Sequence, residues 1–259
     1  MRIIFGSPGH ERSATPAGLG LDGHVVETAQ PFADLPAIAQ HNGPFDAAVI
    51  SVTHCRTQAL PLVREIRRRG LRIPVLVLAS RLDPDTEQEA LHAGADDVLA
   101  GPVVTPVLVA RLQGLVRRAY GHISAVVTCG NVELDQGCHE VRVDGRRVRV
   151  TRREFAVLEM LMLRRGLLLT KEHFMSRLYG AEDGPDQRIL DVFVCKLRHK
   201  LAAAGAAEIV RTVWGRGYVA EEPGPAALAA ARDRFAAGKP RAPRAHLALA
   251  PAPNSIAAM

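Results

Sequence analysis

Two domains in tandem are predicted for this chain: an α/β domain on a parallel sheet, then an α+β domain of three helices and a terminal hairpin. Three observations carry that prediction. In the first half, short β-branched runs alternate with amphipathic helical segments. After Tyr120 the pattern changes to small strands joined by tight turns. A capping-box signature at Thr151 then opens a series of three helices. A length of 259 residues suits two domains, at roughly 100–200 residues each. Apolar residues make up 47% of the chain but aromatics only 4%, so both cores must be built mainly from Val, Leu, Ile and Ala.

The first half reads in order as strand and helix. Arg2–Phe5 is a short apolar run stopped by Gly6-Ser7-Pro8-Gly9. Ala47–Val52 and Val75–Ala79 have the length and branching of buried strands. Between them Leu60–Arg69 has helical spacing with a basic face. Thr86–Ala93 is a second helix, ended by Gly94 at a C-cap position. Val98–Ala100 is a last strand, and Pro106–Arg118 an amphipathic helix. Strands separated by helices imply a parallel sheet covered on both faces. Any ligand site of such a sheet is expected at the carboxyl ends of its strands.

In the second half, Val126–Thr151 carries turns at Asp135-Gln136-Gly137 and Asp144-Gly145. The second is a two-residue hairpin signal between Glu140–Val143 and Arg146–Val150. Thr151-x-x-Glu154 is a capping box ahead of Phe155, Leu158, Leu161 and Met162. Thr170-Lys171-Glu172 opens a second helix that ends by Gly180. After the acidic loop Ala181–Asp186 comes a third helix at about Gln187–Ala203. Glu208–Val213 and Tyr218–Ala220 flank Trp214-Gly215-Arg216-Gly217 as a short hairpin. The expected division is residues 1–121, a linker at 122–125, residues 126–222, and a tail at 223–259. The tail is Ala, Pro and Arg with few large apolar residues. It is expected to be disordered, with at most a transient helix at Ala226–Phe235.

Composition bounds the setting. The net charge of +6 suits an anionic partner, and membrane surfaces also attract basic proteins. Cys55, Cys129, Cys138 and Cys195 form no C-x-x-C pair and no zinc or disulfide framework. Free thiols in a reducing cytosol are expected. Met1–Ser7 does not read as a signal peptide. No apolar run approaches the roughly 20 residues of a membrane span. The expectation is a cytoplasmic protein with no membrane association and no cofactor or metal.

The third helix of the second domain carries the functional signal. Ile189, Val192, Phe193, Leu197 and Leu201 are read as an apolar stripe that packs inward. Arg188, Lys196, Arg198 and Lys200 project from the remaining surface, with Asp191 the only acid. A helix with one buried and one cationic face fits a DNA major groove. Charge alone equally fits a solvated face. The order of three helices followed by a tight basic hairpin decides for a winged helix-turn-helix. Arg216, between two glycines at the hairpin tip, is placed to enter a minor groove. Thr212 is placed to hydrogen-bond a phosphate.

Three segments, Val150–Phe155, Asp191–Arg198 and Thr212–Tyr218, resemble in order the effector domain of OmpR/PhoB-type response regulators. Thr170–Glu172, Leu178–Gly180, Asp191–Leu197 and Val213–Val219 resemble most the CtrA-type cell-cycle regulators of alphaproteobacteria. The resemblance implies that Arg188, Cys195, Lys196 and Arg198 face double-stranded DNA. It implies backbone or minor-groove contacts from Thr212 and Arg216. It also implies that the loop Tyr179–Asp186, with Glu182 and Asp183, faces RNA polymerase.

The same resemblance makes the first half a flavodoxin-like receiver domain. Such a domain needs carboxylates for Mg²⁺, a phosphoryl-accepting Asp, a hydroxyl residue and a Lys. At the matching positions stand Ser7-Pro8-Gly9, Ser51, Ala79 and Gly101. No Asp or Glu lies within Gly6–His10 or Val49–His54, and no Lys precedes Lys171. Aspartyl phosphorylation is therefore not expected, and Ser51 marks the altered acceptor position. Gly94–Asp97 and Ala110–Leu112 follow the family pattern of a homodimer face. Asp97 with Arg111 and Asp96 with Arg118 are the expected cross-subunit pairs. Glu87 and Val107 depart from that pattern. A protein-binding adaptor is the second reading. An enzyme is not expected: His10, His54 and His92 are scattered, and Ser51 beside Val52-Thr53-His54 is weak evidence for a nucleophile.

Overall fold

The computed structural model describes residues 1–9, 18–20, 23–180 and 184–238. Its first half is a five-stranded parallel sheet in the order β2-β1-β3-β4-β5. The strands are β1 (Arg2–Gly6), β2 (Val25–Thr28), β3 (Ala47–His54), β4 (Val75–Arg81) and β5 (Asp97–Ala100). Along β1, β3 and β4, side chains alternate between two cores, as the pleat requires. Ile4, Ala48, Ile50, Val75 and Val77 meet α1 (Leu35–His41) and α2 (Leu60–Arg68) on one face. Ile3, Phe5, Val49, Leu76 and Leu78 meet Leu108, Leu112 and Leu115 of α4 (Thr105–Ala119) on the other. The helix before α4, α3 (Pro84–His92), starts two residues earlier than its apolar spacing suggests. Asp83 caps it, accepting from the Thr86 N–H at 2.9 Å and the Thr86 hydroxyl at 2.7 Å.

The second half begins with an antiparallel sheet of β6 (Val126–Cys129), β7 (Val132–Asp135), β8 (Glu140–Val143) and β9 (Arg146–Val148). The β8–β9 turn is Asp144-Gly145, both at positive φ, as a twist-matched two-residue hairpin needs. Three helices follow: α5 (Arg152–Leu163), α6 (Lys171–Tyr179) and α7 (Arg188–Ala203). The capping box at the start of α5 is complete: the Thr151 side chain accepts from the Glu154 N–H and the Glu154 side chain from the Thr151 N–H. A second small sheet, β10-β12-β11, joins β10 (Leu169–Thr170) to the hairpin of β11 (Val210–Val213) and β12 (Gly217–Ala220). Phe174, Leu158, Leu161, Leu190 and Leu197 fill the core between helices and sheets. No helix among the described residues is long and apolar enough to cross a membrane.

The expectation of disorder from Pro223, with only a transient helix at Ala226–Phe235, is corrected over the described residues of the tail. Pro225–Ala236 forms α8, and it packs on the second half. Ala231 is buried, and Pro223 and Leu228 lie over Gly130. Arg232 forms a two-bond pair with Asp144, and the Arg146 guanidinium lies 4.2 Å from the Phe235 ring centre. Phe235 also covers Gly205 beyond the end of α7. The helix thus joins the β6–β7 and β8–β9 turns to the end of α7. Composition argued against it because its apolar face is small, but the helix gains contacts at Gly130, Asp144, Arg146 and Gly205. Ending the chain at Glu222 is expected to lower stability by about 1–3 kcal/mol, from the apolar contacts removed. Thermal unfolding of the two lengths measures this. Residues 239–259, including the tail cations Lys239, Arg241 and Arg244, lie outside the described residues.

Candidate nucleic-acid interface

Helix α7 buries Leu190, Val194, Leu197 and Leu201, spaced i, i+4, i+7 and i+11. The predicted stripe is therefore rotated by about one residue. Ile189 and Phe193 are half-buried at its edge, and Val192 is 43% exposed. The opposite face carries Arg188, Val192, Cys195 and His199 in one row with Lys196 beside it, all exposed. Arg188 and Lys196 stand where sequence reasoning places them. Val192 and His199 were missed, although the same helical spacing identifies them once the buried face is known.

Two of the predicted cations do other work. The Lys200 ammonium lies 2.6 Å from the buried Glu154 carboxylate of the capping box. It ties α7 to the start of α5, so its expected place on the outer face is corrected. Arg198 bends back toward the hairpin. Its guanidinium donates to the Val210 carbonyl at 2.9 Å and to the Thr212 hydroxyl at 2.8 Å. It also lies 5.7 Å from the Tyr218 ring centre. Arg198 and Thr212, expected as separate contacts, are thus joined to each other. They fix the angle between helix and hairpin. A second strut stands nearby: Asp191 accepts from Lys171 Nζ at 2.8 Å and from the Tyr218 hydroxyl at 2.6 Å. Burial and the Asp191 carboxylate both push the Tyr218 phenol above its ordinary range, so it stays a donor.

The hairpin tip presents Trp214, 79% exposed, and Arg216, also exposed. Gly217 has φ 147°, and a Cβ there would sit 2.0 Å from the Leu169 carbonyl oxygen. Only glycine lets β12 pass this close to β10. The tip is thereby held against β10, at the start of α6.

The remaining predicted sites fall in three places. Tyr179, at the end of α6, is half-buried beneath the Arg153 guanidinium, 4.4 Å from its ring centre. Asp186 is exposed and accepts from the Arg188 N–H at 2.8 Å, ahead of α7. Glu182 and Asp183 lie outside the described residues. Asp97 and Arg111 lie 3.4 Å apart within one chain. Within the chain Asp96 is held by Arg67 at 2.7 Å and by the Val75 N–H at 2.7 Å. Arg118 is exposed. Ser51 is half-buried within β3, in register with Leu78, and the strand continues to His54. Ser7-Pro8 follow β1, and Ala79 and Gly101 stand at and beyond the paired ends of β4 and β5.

Three packed helices, an exposed row with Arg188 and Lys196 on the third and a strutted hairpin carrying Arg216 define a winged helix-turn-helix behind a receiver-like α/β half. A family model described as "Transcriptional regulatory protein, C terminal" matches residues 145–220. The cell cycle response regulator CtrA of Brucella anthropi is 41% identical over 163 residues, 62% of this chain and 70% of that protein. The cell cycle transcriptional regulator CtrA of Caulobacter vibrioides is 37% identical over 180 residues, 69% of this chain and 78% of that protein. The chain belongs to the CtrA family of OmpR/PhoB-type response regulators, and is a DNA-binding transcription regulator of that type. Among solved structures, the response regulator DrrB of Thermotoga maritima is similar at 20% identity, TM-score 0.38, over 85% of this chain and 98% of that one. The DNA-binding domain of Klebsiella pneumoniae RstA in complex with RstA box is similar at 25% identity, TM-score 0.34, over 39% of this chain and all of that one.

Proposed function

We propose that this regulator reads a specific double-stranded DNA sequence in the cytoplasm, as a homodimer, without an aspartyl phosphate. The row Arg188, Val192, Cys195 and His199, with Lys196 beside it, carries the reading: it is the exposed face of the helix that the struts hold beside the hairpin tip. Arg188 is suited to guanine, Val192 to a thymine methyl, and Lys196 and Arg216 to phosphate or the minor groove. Arg198, Lys200 and Thr212 act as positioning residues.

Independence from aspartyl phosphorylation is supported by Ser51 at the acceptor position and by the lack of any Lys before Lys171. A serine hydroxyl cannot form an acyl phosphate. A homodimer is supported by the exposed apolar residues Leu91 on α3 and Val104 and Val107 at the start of α4, one turn before Arg111. Such a face buries itself in a two-fold contact, and two linked winged helices raise affinity through effective concentration. The loop Tyr179–Asp186 is offered to RNA polymerase.

Selection of duplexes by the intact protein from a random pool, followed by titration of variants, tests the reading. Arg188→Ala is expected to weaken binding to the selected duplex by about 1–3 kcal/mol and to relax preference at one base pair. Lys196→Ala is expected to weaken selected and scrambled duplexes alike and to reduce the salt slope by about 1. Recovery of no preferred sequence would favour a protein-binding adaptor instead.

A further inference from the structure

The C-terminal end of α7 is finished by side chains from other elements. The last carbonyls of a helix have no partner inside it and need one outside. Two are met locally. The Gly205 N–H donates to the Ala202 carbonyl at 3.0 Å and the Ala206 N–H to the Leu201 carbonyl at 2.9 Å. Gly205 has φ 90°, so this is a left-handed glycine cap. The next two carbonyls are met from the antiparallel sheet. Arg146 Nη2 donates to the Ala204 carbonyl at 3.1 Å. The buried Asn131 donates to the Gly205 carbonyl at 3.0 Å, and its own oxygen accepts the Ala207 N–H at 3.0 Å. The Arg146 cation is also favoured at this end by the helix dipole.

Helix α8 grips both of those side chains. The Phe235 ring centre lies 4.2 Å from the Arg146 guanidinium. The same ring packs on Gly205, where a Cβ would sit 2.9 Å from Phe235 Cγ. Arg232 donates to Asp144 through Nε at 3.1 Å and Nη2 at 2.5 Å. Asp144 in turn accepts from Asn131 Nδ2 at 2.8 Å. Phe235 therefore touches the cap directly, and Arg232 acts on it through Asp144 and Asn131. The exposed row of α7 ends close by: Lys196 and His199 stand within about two turns of Ala203.

We propose that α8 is an outer cap of α7, with Phe235 and Arg232 as positioning residues that hold Lys196 and His199 in place against the duplex. This role rests on α7 reading DNA, as proposed above. Discrimination between bases needs side chains held to about half an ångström. Attraction to phosphates tolerates a looser helix. Loss of the cap frees the last turns of α7, while the struts at Asp191 and Arg198 keep the rest of the helix on the hairpin. Helix α8 thus adds to sequence discrimination and not to general affinity for DNA.

Phe235→Ala in the full chain tests the cap, by titration onto the selected and a scrambled duplex at a temperature where circular dichroism shows the fold intact. Affinity for the selected duplex is expected to fall by about fivefold or more, and for the scrambled duplex by less than about twofold. Amide exchange at Gly205 and Ala206 is expected to rise in step. Phe235→Tyr keeps the ring and is expected to restore both readouts. Arg232→Ala breaks the second grip alone and is expected to repeat the loss in weaker form, so it decides the matter if Phe235→Ala does not fold. Arg188→Ala, at the far end of α7, separates two kinds of failure. Weakening by Arg188→Ala, with selected-duplex affinity unchanged in Phe235→Ala, would overturn the cap alone. Unchanged affinity in both variants would overturn α7 as the reader together with its cap. Equal losses on both duplexes in Phe235→Ala would make α8 a general support of the fold and would also overturn the proposal.

Discussion

Gly217→Ala is expected to lower stability by about 2–4 kcal/mol and to remove tight DNA binding. The new Cβ would meet three backbone atoms: the Leu169 carbonyl oxygen at 2.0 Å, the Leu169 carbonyl carbon at 2.9 Å and Thr170 Cα at 3.0 Å. Backbone cannot rotate aside as a side chain can. The φ of 147° is also costly for any residue with a Cβ. The strain is relieved only by parting β12 from β10, which pair through Thr170 and Gly217. That movement carries Arg216 away and disturbs Thr170, whose hydroxyl accepts from the His173 N–H at the start of α6. Gly215→Ala is the control. Its φ of 68° is also positive, but the space around it is open, so a cost of only about 1–2 kcal/mol is expected. Denaturant unfolding and duplex titration of both variants separate strain at the tip from loss of the β10–β12 approach.

Acidification is expected to destabilise the chain between pH 6.5 and 5. Burial holds the His24 imidazole down at about 3, helped by the Met1 amino group, Arg177 and His139 and opposed by Asp46. Burial likewise holds His173 at about 4, helped by Arg164, Arg177 and Arg2 and again opposed by Asp46. His24 Nε2 has no hydrogen-bond partner among the described residues. Both rings are neutral in the fold but protonate in the unfolded chain near pH 6.5. The unfolded state then binds more protons, so the stability that these two histidines supply is complete above about pH 6.5 and declines as pH falls. Asp46 does not oppose this trend: its carboxyl is held below its ordinary range by Arg177 and Arg164 despite burial. Its contribution is lost only at still lower pH. At pH 5 the two histidines together cost about 2 kcal/mol, allowing for their partial exposure. Melting followed from pH 7.5 to 5 is expected to show a steady fall, flattened in a His24→Gln, His173→Gln double variant. A constant melting temperature would remove the histidines from the linkage.

The features most legible in the sequence are those set by local chemistry. The capping box at Thr151, the Asp144-Gly145 turn and the buried runs of β1, β3 and β4 all follow from near neighbours. Elements with weak local signals are not legible. β2 is a half-exposed edge strand of four residues, β10 has only two, and α1 lies in a segment with little periodicity. Helix α8 depends on a receiving surface more than 80 residues away, at Asp144 and Gly130. The site divides in the same way. The proposal of α7 as the reading helix comes from motif order. That Lys200 answers Glu154, or that Arg198 answers Val210 and Thr212, is invisible to a count of charges, because the partners come from other elements. Asp46 shows the limit most clearly: its partners Arg164 and Arg177 are more than 110 residues away.

On the proposed function, a strutted winged helix reads DNA without an aspartyl phosphate in the first half. The most direct test is an equilibrium titration of the intact protein onto a duplex it has selected, with and without acetyl phosphate and Mg²⁺. Superimposable isotherms that weaken steeply with salt, and no phosphoryl label in residues 1–121, are the expected result. One phosphoryl group per chain with a tenfold shift in affinity, or equal affinity for a scrambled duplex, would contradict it.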